Sequence, residues 1–360
     1  MPKIVLFGAT GYTGRLVAED LVARGVVPVL AGRNAAALGK LATDIGGAET
    51  AVADVADPAS VRALLSRGDV LVTTVGPFLR YGGPALAAAL EAGAHYFDST
   101  GEGPFIRDVF DRDDEARRAG AGLLTAFGFD YVPGNLAAAL ALQEAPGAVR
   151  ADIGYFVASP GISGGTRASV IGMLFERGFA LRGGRVVSER LGARIRTFEV
   201  GGRSRTGASV PGSEHLALTR TYPGLRDAGV YVGAPAAVAA RGLQVTALLS
   251  DAVARVEPVK RLAEAGLARV VTGSRGGPGP ESRARTRSWA VADVSDAAGR
   301  VLSSVTLTGG DPYDFTGAIL AWGAQTALDG GLRATGALGP VDAFGLDALV
   351  SGAAEAGFSR

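Results

Sequence analysis

The stretch Ile4-Val5-Leu6-Phe7-Gly8-Ala9-Thr10-Gly11-Tyr12-Thr13-Gly14 carries the reading of the fold. A short, unbroken apolar run enters a glycine loop, and Tyr12–Gly25 then follows with helical spacing. Such a run fits a strand buried on both faces of a parallel sheet. Gly8 suits a tight turn. Gly11, lacking a Cβ, lets the backbone approach a pyrophosphate, and Gly14 lets helix and strand pack closely. The helix start offers amides and the positive end of a dipole to phosphate. Gly8, Thr10, Gly11, Tyr12, Thr13 and Gly14 are therefore candidate dinucleotide-binding residues. Their spacing is G-x-x-G-x-x-G rather than G-x-G-x-x-G, and the strand–loop–helix context is what gives it weight.

Outward from this loop the same alternation repeats. Apolar runs at Val27–Ala31, Thr50–Ala53, Val70–Thr73, His95–Asp98 and Gly122–Ala126 read as strands. Ala35–Ile45, Pro58–Ser66, Gly83–Ala92 and Pro104–Ala119 read as helices between them. Asp57-Pro58 is a helix start, and Gly25, Gly46 and Gly93 stand where helices end. The order predicts a doubly wound α/β domain of Rossmann type over residues 1–130. Beyond it the pattern changes. Val149–Val157 reads as a strand, Thr166–Phe179 as a helix, and Arg185–Thr221 as short strands parted by glycine pairs such as Gly201-Gly202. Ser282–Val294 and Gly299–Thr308 read as a strand pair. Residues 131–310 are thus expected to form a second, α+β domain with a largely antiparallel sheet. Helices at Tyr313–Leu328 and Val341–Ala356 place 311–360 back on the first domain. Thr272–Glu281, rich in Gly, Pro and Ser, reads as a loop.

Composition narrows the function. The chain has 360 residues, 48% of them hydrophobic, and a formal net charge of +1. Nothing in that balance draws it to nucleic acid. There is no cysteine and there are only two histidines, His95 and His215. Thiol chemistry is excluded and no metal site is expected. No apolar run reaches the length of a membrane span, and no signal peptide is expected at the start. A cytoplasmic location follows as the default. The Gly229–Ser250 stretch is apolar enough to raise peripheral membrane contact, against the plainer reading of core or interface.

The second predicted strand ends Ala31-Gly32-Arg33-Asn34. A site for NAD(H) places an acid about here for the ribose 2′-hydroxyl, whereas Arg33 suits a 2′-phosphate. NADP(H) is accordingly favoured over NAD(H), with Arg33 and Asn34 as contacts. Asp54, after the third strand, is placed near the adenine. Val75, Gly76, Pro77 and Phe78, after the fourth, are placed by the nicotinamide ribose.

These motifs, with Tyr81-Gly82, Asp98-Ser99-Thr100-Gly101-Glu102, Gly128-Phe129-Asp130-Tyr131-Val132-Pro133 and Ser163-Gly164-Gly165-Thr166-Arg167-Ala168-Ser169, resemble the saccharopine dehydrogenase-like oxidoreductases. The resemblance is to the branch of trans-acting enoyl reductases. It covers most of residues 1–170 and implies a Rossmann domain, a substrate domain and NAD(P)H-linked hydride transfer. It does not imply saccharopine as substrate. The small-molecule substrate of such a reductase carries an enoyl C=C bond, or in the alternative an imine C=N bond. A non-catalytic NADP-binding module is the third reading. A homodimer through the second domain is admitted.

Tyr81, Asp98, Asp130, Tyr131 and His215 are the candidate catalytic residues, since a phenol, a carboxyl or an imidazole can move the proton that completes a reduction. Tyr81 can equally pack over the cofactor, and Ser213-Glu214-His215 can equally be a surface pair on a strand. Glu102 reads as acid, base or helix cap. Gly164, Gly165 and Thr166 form a glycine turn before a helix, whose amides could hold a substrate carbonyl or carboxylate. Thr166 alternatively caps that helix. His95 reads as structural.

Overall fold

The computed structural model describes residues 1–158, 163–173, 176–233 and 276–360. By Cα proximity the chain divides into two units. The first comprises Met1–Gly101, Phe105–Val132 and Pro312–Gly357, and the second comprises Glu102–Pro104, Pro133–Asp311 and Phe358–Arg360. The expected loop Thr272–Glu281 and the apolar stretch Gly229–Ser250 lie partly outside the described residues.

The strands, in chain order, are β1 (Ile4–Phe7), β2 (Val29–Gly32), β3 (Thr50–Val52), β4 (Val70–Thr73), β5 (His95–Asp98), β6 (Gly122–Leu124), β7 (Arg150–Ala158), β8 (Gly178–Arg182), β9 (Arg185–Glu189), β10 (Ile195–Val200), β11 (Arg203–Val210), β12 (Asp227–Gly233), β13 (Arg287–Ser295), β14 (Val301–Gly309), β15 (Gly336–Ala337) and β16 (Phe358–Ser359).

In the first unit the strand order is β15-β6-β5-β4-β1-β2-β3, and every pair is parallel. β1, β2 and β4 are buried at every residue. That is why their sequences are apolar runs rather than alternations. The chain leaves β1 towards β2 and β3, then returns to start β4 on the other side. The carboxyl ends of β1 and β4 therefore flank a topological switch point, where an open α/β sheet leaves a crevice.

The helix Tyr12–Ala23 buries Gly14, Leu16, Val17, Ala18 and Leu21, the stripe an amphipathic helix turns to its sheet. It also packs on Pro312–Leu328 at Gly317, where a Cβ would lie 3.0 Å from Leu16 Cβ. Pro104–Ala119, expected as one helix, is two, Gly103–Asp111 and Asp113–Ala119. Val341–Ala356 is likewise two, Pro340–Phe344 and Leu346–Glu355, parted at Gly345 with φ 80°.

The second unit is built on a mixed sheet in the order β10-β11-β12-β7-β13-β14-β16, with β8 and β9 attached through β12. β12 and β7 run parallel; the other pairs are antiparallel. Two hairpins turn on glycine pairs with positive φ, Gly183-Gly184 and Gly201-Gly202. Two consecutive residues at positive φ are what a tight hairpin requires and what a side chain resists.

Three expectations for this unit are corrected. The helix read over Thr166–Phe179 is Gly164–Met173, and Phe179 lies in β8 paired with Ser188. Ser213–His215 is not on a strand: Glu214 opens the helix Glu214–Thr221, and both Glu214 and His215 are buried. The strand read from Ser282 begins at Arg287, because Pro280–Arg285 forms a short helix with proline in its first turn. The helix Val132–Glu144 escaped the sequence reading. It is buried on most sides, with Val132, Leu136, Ala137, Ala138, Ala139, Ala141 and Leu142 all inside, so it shows no apolar stripe. Among the described residues no helix is long and apolar enough to cross a membrane.

Candidate functional site

A cavity of about 430 Å³ occupies the switch point of the parallel sheet. Gly8, Thr10 and Gly11 line it after β1, Arg33 after β2, Asp54 after β3, and Val75, Gly76 and Tyr81 after β4. Four βα loops thus bring together residues spread over more than seventy positions of sequence. They converge because parallel strands deliver all their carboxyl ends to one edge.

The glycines are required by this geometry. Gly8 has φ +89°, and a Cβ there would lie 2.8 Å from Thr74 Oγ1 and 2.9 Å from Val75 Cγ2. A Cβ on Gly14 would lie 2.4 Å from the Gly8 carbonyl oxygen. The loop is closed by the Gly11 amide donating to that same carbonyl at 2.9 Å. Gly11 occupies the N-cap position of Tyr12–Ala23 with no side-chain cap, and the first turn holds no acid. The helix end therefore presents backbone rather than a side chain to the cavity, the arrangement that favours a phosphate.

Arg33 is exposed on the rim, and among the described residues its guanidinium forms no hydrogen bond or ion pair. Asn34 does not line the cavity; its Oδ1 accepts the Ala37 amide at 3.0 Å and caps Ala35–Asp44. Asp54 Oδ1 accepts the Ala56 amide at 3.0 Å, while its own amide donates to Ser60 Oγ at 3.0 Å. Tyr12, Thr13 and Pro77 are not among the lining residues. Tyr12 sits edge-on to Tyr313, with ring centroids 5.1 Å apart. Phe78, expected at the cofactor, is buried in the core against Phe105, 5.8 Å between centroids. The short helix Phe78–Tyr81 turns Phe78 inward and sends Tyr81 to the cavity, with the Arg80 guanidinium 5.0 Å over the Tyr81 ring. Sequence reading missed Thr74, Ala53, Val55 and Ala56 as lining residues. Each sits within three residues of a strand end that had been recognised, and that adjacency was the available clue.

Asp98, a candidate acid or base, is fully buried. Its Oδ1 accepts the amides of Thr100 at 2.9 Å and Ala126 at 2.8 Å. Burial pushes its carboxyl up to about 6 against the pull of those bonds. Its carboxylate is enclosed by the loops after β5 and β6. Asp130 differs. It is half-buried, after β6, and among the described residues its carboxylate has no hydrogen bond or ion pair. Burial raises it to about 6. A Cβ on Gly101 would lie 3.3 Å from Asp130 Oδ2. Tyr131 is buried, with its hydroxyl 3.5 Å from the Gly101 carbonyl.

Other candidates lie in the second unit. Ser163, not Thr166, caps Gly164–Met173: its Oγ accepts the Thr166 amide at 3.2 Å. The Gly164 amide donates to Gly276 O at 3.2 Å, and Gly165 follows within the same helix. Glu102 is buried just before the helix Gly103–Asp111 and accepts the Ser169 hydroxyl at 2.7 Å. His215 has its Nδ1 on the backbone of Gly212, and burial lowers its pKa to about 4. His95, in the first unit, accepts the Gly122 amide at 3.0 Å and serves structure.

Residues 4–122 match the family model described as the saccharopine dehydrogenase NADP binding domain. A Mycobacterium tuberculosis protein, Rv2449c, named provisionally as a trans-acting enoyl reductase, is 40% identical over 183 residues, covering 48% of this chain and 44% of its own. A trans-acting enoyl reductase of Mycobacterium ulcerans is 38% identical over 141 residues, covering 37% of this chain and 34% of its own. The chain thus matches less than half the length of these curated relatives. Apo saccharopine dehydrogenase (L-Glu forming) of Saccharomyces cerevisiae superposes with a TM-score of 0.59 at 14% identity, over 97% of this chain and 96% of that one. At that identity the likeness is one of fold. The expected resemblance holds, and with it the expected Rossmann-type α/β fold and NADP-binding domain.

Proposed function

We propose that this chain, whose residues 4–122 form an NADP-binding domain of saccharopine dehydrogenase type, is an NADPH-dependent reductase of a conjugated enoyl C=C bond. The observation that carries the reading is the cavity at the switch point, with glycine backbone at one side and, on its rim, an Arg33 that has no partner among the described residues. The residues fit the cofactor: a Cβ at Gly8 would collide with Thr74 and Val75 and one at Gly14 with the loop itself, and the Arg33 guanidinium, without a partner among the described residues, is available to a 2′-phosphate. When bound, NADPH supplies a hydride.

The chain's own residues do the rest. The amides at the start of Tyr12–Ala23 would hold the pyrophosphate, and Arg33 would select the 2′-phosphate. Val75, Gly76 and Tyr81 line the same cavity and would hold the nicotinamide end. Reduction of a conjugated enoyl group would also require a proton at its α-carbon, which the chain has to supply. Asp130 is the group we assign to that proton. It is the half-buried carboxyl after β6 with no partner among the described residues, raised by burial to about 6, so that it is largely protonated below that pH. The names of the Mycobacterium relatives support an enoyl acceptor.

One observation favours a second reading. A carboxylate without a counter-charge would also stabilise a cationic iminium, so Asp130 suits C=N reduction too. Loss of NADPH absorbance should be followed with enoyl N-acetylcysteamine thioesters and, separately, with cyclic imines. Turnover of enoyl thioesters is the expected result; turnover of imines alone would replace it with the second reading.

A further inference from the structure

Asp98 closes β5 in the interior, and two loops converge on it. Its Oδ1 receives the Thr100 amide, on the loop after β5, and the Ala126 amide, on the loop after β6. Its backbone carbonyl receives the Phe127 amide at 2.8 Å. Ala126 holds φ 56°, a left-handed conformation that L side chains resist. The charge-assisted bond from its amide to Asp98 offsets that cost. The second carboxylate oxygen and the hydroxyl oxygens of Tyr96 and Thr125 are all buried without a hydrogen bond of normal geometry.

The two loops meet again further out. From Ala126 the chain turns back on itself, with the Tyr131 amide donating to Ala126 O at 2.8 Å and the Val132 amide to Gly128 O at 3.0 Å. That turn carries Asp130. The other loop carries Gly101, and a Cβ there would lie 3.3 Å from Asp130 Oδ2 and 3.9 Å from Asp130 Cβ. The two loops therefore pass close to each other at Gly101 and Asp130.

We propose that Asp98 is a positioning residue: by holding the amides of Thr100 and Ala126 on one oxygen, it sets the Asp130 carboxyl against Gly101. The proposal rests on the assignment of Asp130 to the proton of the reaction. Asp98 itself touches no substrate. What it controls is the register between two loops whose only side-chain charge near the surface is Asp130.

The test compares Asp98→Asn with Asp98→Ala in the full chain, using NADPH and an enoyl N-acetylcysteamine thioester. Asparagine keeps an acceptor oxygen for both amides and should hold kcat within about threefold of wild type. Alanine removes it, and kcat should fall about tenfold or more while the Kd for NADPH stays unchanged. An Asp98→Ala protein with full kcat overturns the proposal. So does a parallel loss of NADPH affinity, which would mark a general loss of structure. If the alanine variant does not fold, Gly101→Ala gives the same reading, since it crowds Asp130 without touching Asp98; unchanged kcat there overturns the proposal.

Asp130→Asn is assayed alongside. If it retains full kcat, the assignment of Asp130 fails. The clamp is then judged by hydrogen exchange alone. Faster exchange at the Thr100, Ala126 and Tyr131 amides of Asp98→Ala supports it, and unchanged exchange overturns it.

Discussion

The Thr74 hydroxyl donates to the Gly8 carbonyl oxygen across 3.2 Å. This ties the residue after β4 to the glycine loop after β1, the two sides of the switch point. The same carbonyl accepts the Gly11 amide and stands 2.4 Å from where a Gly14 Cβ would be. One oxygen therefore fixes the shape of the loop in which the pyrophosphate is proposed to sit.

Gly14→Ala should break that shape. The added methyl meets backbone on one side, so the loop must move, at a cost of about 1–3 kcal/mol. NADPH affinity should drop at least about tenfold. Gly25→Ala is the control. Gly25 has φ +78°, but nothing lies within 4 Å of its Cβ position. It should lose about 1 kcal/mol of stability and no NADPH affinity. Thermal unfolding and fluorescence titration with NADPH measure both.

Arg33→Ala should separate the two cofactors. The guanidinium has no partner in the protein among the described residues, so removing it strands nothing. A lost charge-assisted bond to phosphate is worth about 1.5–3 kcal/mol, or roughly ten- to a hundredfold in Kd. NADPH should weaken by that factor and NADH by little. Equal weakening of both would place the 2′-phosphate elsewhere.

The pH profile should report Asp130. Its carboxyl is raised to about 6 by burial. If it donates the proton, kcat should be highest below pH 6 and fall about tenfold per pH unit above it. Asp130→Asn should flatten that limb and lower kcat about a hundredfold. A profile unchanged in shape by the substitution would assign the proton to another group.

His215 should make the fold sensitive to acid. Burial, with the Arg182 charge adding to it, lowers the folded-state pKa from 6.5 to about 4. Between those values the unfolded chain binds a proton that the folded chain refuses. Stability from the neutral ring is complete above about pH 6.5 and is lost as pH falls towards 4, by about 3 kcal/mol in all. His215→Asn, which does not titrate, should reduce the slope of stability against pH in that window. Urea unfolding at a series of pH values would detect it.

The sequence by itself determined the strands β1, β2, β4 and β5, the helix after the glycine loop, and the residues that must be glycine. These are local matters. An apolar run of four has few alternatives beside a turn, and a missing Cβ can be read from one letter. Arg33 was legible for the same reason, since its distance from a strand end placed it.

Tertiary structure decided the rest. Phe78 and Tyr81 are three residues apart with similar side chains, yet one is buried against Phe105 and the other lines the cavity, a difference set by what packs around each and not by sequence spacing. Asp98 and Asp130 are both acids after strands. Only the packing of two loops made one a buried anchor and the other a partly accessible carboxyl. The helix Val132–Glu144 is apolar all round, so periodicity could not mark it, and Ser213–His215 became helical where spacing suggested a strand. Burial, hydrogen-bond partners and the meeting of distant strand ends are relations between residues far apart in sequence, and they exist only once the chain has folded.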